Sequence, residues 1–231
     1  MEPNERIKEA KRVLEAEAKA IFDTSKKIDL NFSKCIDLII GCKGTIVISG
    51  IGKSGNIGKK ITSTLSSLGT PSIFLHATDA FHGDLGTLRK NDLLILISNS
   101  GETSELIKLL EYAESNGNKI IGITGHINST ISKLSTVALN SSVESEACPL
   151  NLAPTCSTSV TMALGDALAS ICAIERGFKE HDFARYHPSG NLHKLNFETV
   201  KNIMNKKLLP ICDKETTIKG LIIEISKGQQ G

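Results

Sequence analysis

The chain has 231 residues, 40% of them hydrophobic and 23% charged, a length for one large domain or one domain with a fragment of a second. Its 27 basic and 25 acidic residues are interspersed and leave a net charge of +2, which excludes a polyanion groove and with it nucleic-acid binding. Six cysteines form no CxxC pair and no zinc-ligand spacing, so reduced thiols and a cytoplasmic protein are expected. The sequence shows no signal peptide and no apolar run of about 18 residues, so no membrane association is expected. With 4% aromatics and no tryptophan, the core has to be aliphatic.

Residues 4–24 place Ile7, Ala10, Val13, Leu14, Ala18 and Ile21 at helical spacing, and a second helix is expected over 29–42. Thr45–Ser49 is a β-branched apolar run that reads as a strand buried on both faces. The pattern then repeats: helix Ile57–Leu68, strand Ser72–Leu75, strand Leu93–Ile97, helix Glu102–Asn116, strand Lys119–Thr124, short helix Ser129–Leu134 and strand Thr136–Leu139. Pro154 introduces a long helix over Thr155–Arg176, ended by Gly177. This alternation predicts an α/β fold, a five-stranded parallel doubly wound sheet in the order 2-1-3-4-5 with helices on both faces. Domain 1 is expected to span residues 1–195, with residues 1–44 as an N-terminal helical extension. Beyond it, Thr199–Met204 and Ile211–Ile225 begin another small α/β unit, too short to bury its own core.

In such a sheet the ligand crevice lies outside the strand carboxyl ends, where the strand order reverses. The first strand runs into Gly50-Ile51-Gly52-Lys53-Ser54-Gly55, and the third runs into Ser98-Asn99-Ser100-Gly101-Glu102-Thr103-Ser104. Small residues admit a ligand to the backbone, helix N-termini supply free N–H groups, and the hydroxyls of Ser54, Ser98, Ser100 and Thr103 add neutral donors. One such loop is equally well an ordinary N-cap; two at the reversal point favour a phosphate-monoester site. Gly50, Gly52 and Gly55 match GxGxxG, yet Ser72–Leu75 supplies no ribose-binding acid, which argues against a dinucleotide fold. The spacing does not fit a Walker A loop either.

The segments GIGKSG (50–55), HGDLG (82–86), SNSGETSE (98–105), EACPLNLAPTCSTS (146–159) and HPSG (187–190) closely resemble the arabinose 5-phosphate isomerases of the sugar isomerase (SIS) domain family. The resemblance implies interconversion of D-ribulose 5-phosphate and D-arabinose 5-phosphate, leading to the sugar Kdo of surface polysaccharides. It also implies a homotetramer with sites built between subunits, a sugar phosphate as substrate, and neither metal nor cofactor. The family's catalytic set falls on Lys53, Glu105, Glu146 and His187; Gly52, Ser54, His82, Ser98, Asn99, Ser100 and Thr103 fall in its substrate- and phosphate-binding segments. Isomerisation through an enediol needs ring opening, proton transfer between C1 and C2, and oxyanion stabilisation. His187 is expected to assist ring opening, Glu146 to act as the base with a raised pKa, Lys53 to stabilise negative charge and Glu105 to orient hydroxyls; the first two roles are exchangeable. Glu144 stands beside Glu146, and without the family match nothing separates them. The tail from Glu198, with VKNIM, resembles the start of a paired CBS module, and residues 196–231 are read as an incomplete CBS-like unit.

Three other readings compete: an isomerase of another phosphosugar, a non-catalytic sugar-phosphate sensor, and a nucleotide-sugar site in the same cleft. Residues 1–44 do not read as a helix-turn-helix, and the retained catalytic set favours the enzyme.

Overall fold

The computed structural model describes residues 1–188 and 211–228. They divide into two compact units, Met1–Phe183 and Ala184–Gly231; sequence places its boundary at 195, outside the described residues. The first unit runs α1 (Pro3–Ser25), α2 (Leu30–Gly41), β1 (Ile46–Gly50), α3 (Gly52–Ser67), β2 (Ser72–Phe74), α4 (Ala77–Ala80), a 3-10 turn (Asp84–Thr87), β3 (Leu93–Ser98), α5 (Ser104–Ser115), β4 (Lys119–Thr124), α6 (Thr130–Leu134), β5 (Val137–Asn140) and α7 (Cys156–Glu175). Helix α8 (Glu180–Tyr186) crosses the division, and α9 (Ile218–Gly228) belongs to the second unit. The Thr199–Met204 segment lies outside the described residues.

All five strands are parallel, in the order β2-β1-β3-β4-β5. Alternation along β3 shows how the aliphatic core is shared. Leu93, Ile95 and Ile97 point into a cluster with α2, α3 and α7, while Leu94 and Leu96 point into a second cluster with α5 and α6. Both faces being covered explains the continuous apolar run. At the amino edge, Asp92 is buried and its carboxylate accepts the N–H groups of Thr45 and Arg89, each at 2.7 Å. Asn118 donates to the carbonyls of Arg89 and Asp92 at 2.7 and 2.8 Å. These bonds satisfy the polar groups of that edge, and the loops after β1 and β3 lie at the opposite one.

Helix α1 starts at a capping box between Glu2 and Glu5, with Pro3 in its first turn. It packs on α7 and is tied to the loop before it by Arg12, which donates to the Ala147 carbonyl at 2.6 Å. Helix α7 is long and apolar enough to cross a membrane by length and composition, a run that the sequence reading did not register, and 50% of it is buried inside the fold. Its packing against α1, α2 and α3 accounts for that composition. The six cysteines are free.

One element differs from expectation where it matters. Helix α3 begins at Gly52, five residues before the predicted Ile57, so Lys53, Ser54 and Gly55 form its first turn instead of a loop. Gly52 enters it at φ +58, a left-handed conformation that favours glycine.

Candidate active site

The parallel register sets Gly50 beside Ile97, so α3 and α5 start side by side from neighbouring strand ends. Lys53 lies in the first turn of α3, exposed, and makes no hydrogen bond or ion pair among the described residues. Glu105 lies in the first turn of α5, half-buried; the Ser104 hydroxyl donates to it at 2.8 Å. Its own backbone N–H and that hydroxyl hold the carboxyl below its ordinary value.

The serine loop is braced from within. Ser98 is buried, shares a hydrogen bond with the Thr103 hydroxyl at 3.0 Å and accepts the Gly101 N–H at 3.0 Å. Ser100 accepts the Glu102 N–H at 3.2 Å. Thr103 is the N-cap of α5 but does not cap it with its side chain. The hydroxyls of Ser98 and Thr103 are therefore partnered with each other, and the open donors at this edge are backbone N–H groups of the α5 first turn. Asn99 is exposed; its carbonyl accepts the Gly125 N–H at 3.0 Å and lies 2.9 Å from His126 Nδ1.

Glu146 is separated from Glu144 by what it touches. Glu144 is exposed and among the described residues reaches only Lys19, at 3.5 Å. Glu146 turns inward onto the start of α7: Oε2 accepts the Thr155 N–H at 2.8 Å, the Thr155 hydroxyl at 3.1 Å and the Ser157 N–H at 3.2 Å, while Oε1 accepts the Ser157 hydroxyl. An anion at a helix N-terminus is favoured there. Burial pushes the Glu146 carboxyl up, but the four hydrogen bonds outweigh it and the pKa falls below the ordinary value, opposite in direction to the raised pKa expected of a base.

A small pocket lies between the serine loop and the starts of α3 and α7. Ser54 of α3 and Asn99 of the serine loop line it together with Ser157, Thr158 and Thr161 of α7. Sequence reasoning did not name these last three as site residues, although Ser157 and Thr158 fall within the 146–159 segment that carries the resemblance. Their signal is the run of hydroxyl residues on an otherwise apolar helix.

Of the expected site residues, Ser54 and Asn99 line this pocket, while Gly52, Lys53, Ser98, Ser100, Thr103, Glu105 and Glu146 lie outside its lining. His82 is exposed, and the turn that follows it lines a hollow with Thr45 and Asp92 at the amino edge of the sheet. His187 lies in the second unit, where its N–H donates to the Ala184 carbonyl at 3.3 Å. Ser189 and Gly190 of the same motif lie outside the described residues. Among the described residues no group of three or more His, Cys, Asp or Glu side chains is arranged to hold a metal ion.

The family model for the SIS domain matches residues 38–171, and the chain belongs to that family. The arabinose 5-phosphate isomerase KpsF of Escherichia coli O6:H1 is 44% identical over 97% of this chain and 69% of its own length. The arabinose 5-phosphate isomerase KdsD of Pseudomonas aeruginosa is 41% identical over 96% of this chain and 68% of its own. A solved structure of E. coli CFT073 c3406 in complex with arabinose 5-phosphate superposes with a TM-score of 0.79 at 38% identity, covering 81% of this chain and 100% of that one. Within the SIS family these relatives set it among the arabinose 5-phosphate isomerases.

Proposed function

We propose that the chain is an aldose–ketose isomerase interconverting D-ribulose 5-phosphate and D-arabinose 5-phosphate. The observation that carries this reading is the pair of helix N-termini, α3 and α5, opening at adjacent strand ends in a chain 44% identical to KpsF. Backbone N–H groups and the positive helix ends suit a phosphate dianion.

The chemistry is redox-neutral within the sugar, so it needs no external oxidant or reductant. From the ketose, a base removes one C1 proton and the electron pair forms the C1–C2 double bond. The C2 oxygen gains a proton, giving the enediol. The base then returns a proton to C2 while the O1 proton leaves, which generates the aldehyde. We assign Lys53 to the developing oxyanion, Glu105 to substrate hydroxyls, and the pair Glu146 and His187 to proton transfer. Glu146 is ionised at neutral pH and so is able to accept a proton; its basicity rises when the sugar displaces one of its donors.

The assembly we propose is a homotetramer. Its support is a second apolar face on α1: Ile7, Leu14 and Ile21 recur every seven residues, all exposed. A partner covering that face, and sites completed between subunits, fit a first unit whose pocket lacks a histidine. Six free cysteines support a reducing, cytoplasmic location. Residues 196–231 are assigned to the start of a CBS unit on sequence alone, and the product to Kdo formation for surface polysaccharide on the resemblance.

Incubating the full chain with D-ribulose 5-phosphate, and separately with hexose and heptose phosphates, tests the assignment by chromatography of the sugar phosphates. Conversion of ribulose 5-phosphate alone supports it; conversion of another sugar in preference, or binding without conversion, contradicts it.

A further inference from the structure

Among the described residues Ser157 makes two of the four hydrogen bonds on the Glu146 carboxylate, one from its N–H and one from its hydroxyl, and the hydroxyl bond is the only one to Oε1. The residue is 4% exposed, yet it lines the pocket with Ser54 and Asn99. Its carbonyl is tied to the Thr161 hydroxyl at 2.8 Å one turn along α7. A residue held by a core helix, its hydroxyl bonded to the carboxylate, is placed to fix both the direction and the ionisation of that carboxylate.

We infer that Ser157 is a positioning residue that acts through Glu146, keeping its carboxylate ionised and oriented, with its hydroxyl as the donor that bound sugar displaces. The inference rests on the isomerase reading for its catalytic consequence, not for the carboxylate's titration. The lowered pKa of Glu146 agrees with it. The other ionisable groups beside Glu146 are Glu144 and Cys148 on its own loop, Cys156 in the first turn of α7, and Arg12 from α1, bonded to the next residue's carbonyl. Among the described residues only Ser157 and Thr155 donate to the carboxylate.

The test compares wild type, Ser157→Ala and Ser157→Thr in the full chain by two readouts. The first is a carbon-13 NMR titration of the Glu146 carboxyl, assigned with Glu146→Gln. The second is the pH profile of kcat/KM for D-ribulose 5-phosphate, whose acid limb reports the free enzyme's base. Ser157→Ala is expected to move the titration and the acid limb to higher pH and to lower kcat about tenfold. Ser157→Thr, which keeps the hydroxyl, is expected to restore both. An unmoved titration in a folded Ser157→Ala overturns the inference, as does an equal effect of both substitutions with an unmoved acid limb, since helix capping alone gives that result. A wild type that turns nothing over contradicts the isomerase reading, and the titration still decides whether Ser157 controls Glu146.

Discussion

Gly165 on α7 lies so close to Ile61 on α3 that a Cβ at position 165 would overlap the Ile61 side chain. This is the point where the two helices whose first turns supply Ser54 and Ser157 are pressed together, about one turn beyond Ile57 and Thr161 of the pocket lining. Gly165→Ala is expected to cost about 1–3 kcal/mol by overpacking. It should also lower turnover by separating the two first turns. Urea denaturation and steady-state kinetics on the same preparation check both effects; unchanged stability would contradict the packing account.

Gly101 holds the serine loop in shape at φ +67, and a Cβ there would overlap Ser129. Its carbonyl accepts the Ile131 N–H at 3.1 Å, linking the loop to α6. Gly101→Ala combines left-handed strain with a steric clash and should destabilise the fold by about 1–3 kcal/mol. Affinity for the sugar phosphate should fall as well, because the α5 N-terminus shifts. Calorimetric titration with D-arabinose 5-phosphate reads that loss.

Lys53 is the opposite case, exposed and without a partner among the described residues. Lys53→Ala should therefore leave the melting temperature within the range of a surface change, about 0.5 kcal/mol. Turnover should drop about 100-fold if the ammonium stabilises the oxyanion. A variant with near-normal kcat removes Lys53 from the mechanism.

Glu146 titrates lower in the folded protein than in the unfolded chain. Its contribution to stability is thus complete above the unfolded value of about 4.3 and is lost as the pH falls through the folded value. Glu146→Gln lacks that component, so its melting temperature should decline less than that of wild type between about pH 6 and about pH 3. The same substitution should cut turnover by about 100-fold or more. Parallel thermal melts across the pH series, with activity at neutral pH, separate the two effects.

Much of this was legible in the sequence, for identifiable reasons. Parallel strands buried on both faces declare themselves as β-branched runs, and Val47, Leu94 and Ile121 are all fully buried. The long helices show their spacing, and the strand order followed from alternation alone. What was hidden lies in short pieces. Helix α4, the 3-10 turn and α8 are too short for periodicity to register. The first turn of α3 was hidden by Gly52, Ser54 and Gly55, residues equally at home in a loop. The preference for Glu146 over Glu144 rests on which carboxylate reaches the α7 N-terminus across nine residues of chain, a tertiary fact. Ser157 lay within the quoted 146–159 segment, but its contact with Glu146 was hidden for the same reason.

The exposed stripe Ile7, Leu14 and Ile21 on α1 gives the assembly a direct test. Leu14→Glu puts a charge at the middle of that face and should reduce the mass seen by light scattering, with a fall in activity if sites are completed between subunits. Wild-type mass in this variant would move the interface elsewhere.

The central claim is a proton transfer between C1 and C2 through an enediol. Its most direct test is proton NMR of D-ribulose 5-phosphate in deuterated buffer with the metal-free protein. The account predicts growth of the arabinose 5-phosphate anomeric signal with deuterium entering at C2. A bound but unconverted sugar phosphate, with no deuterium exchange at C1, would contradict it.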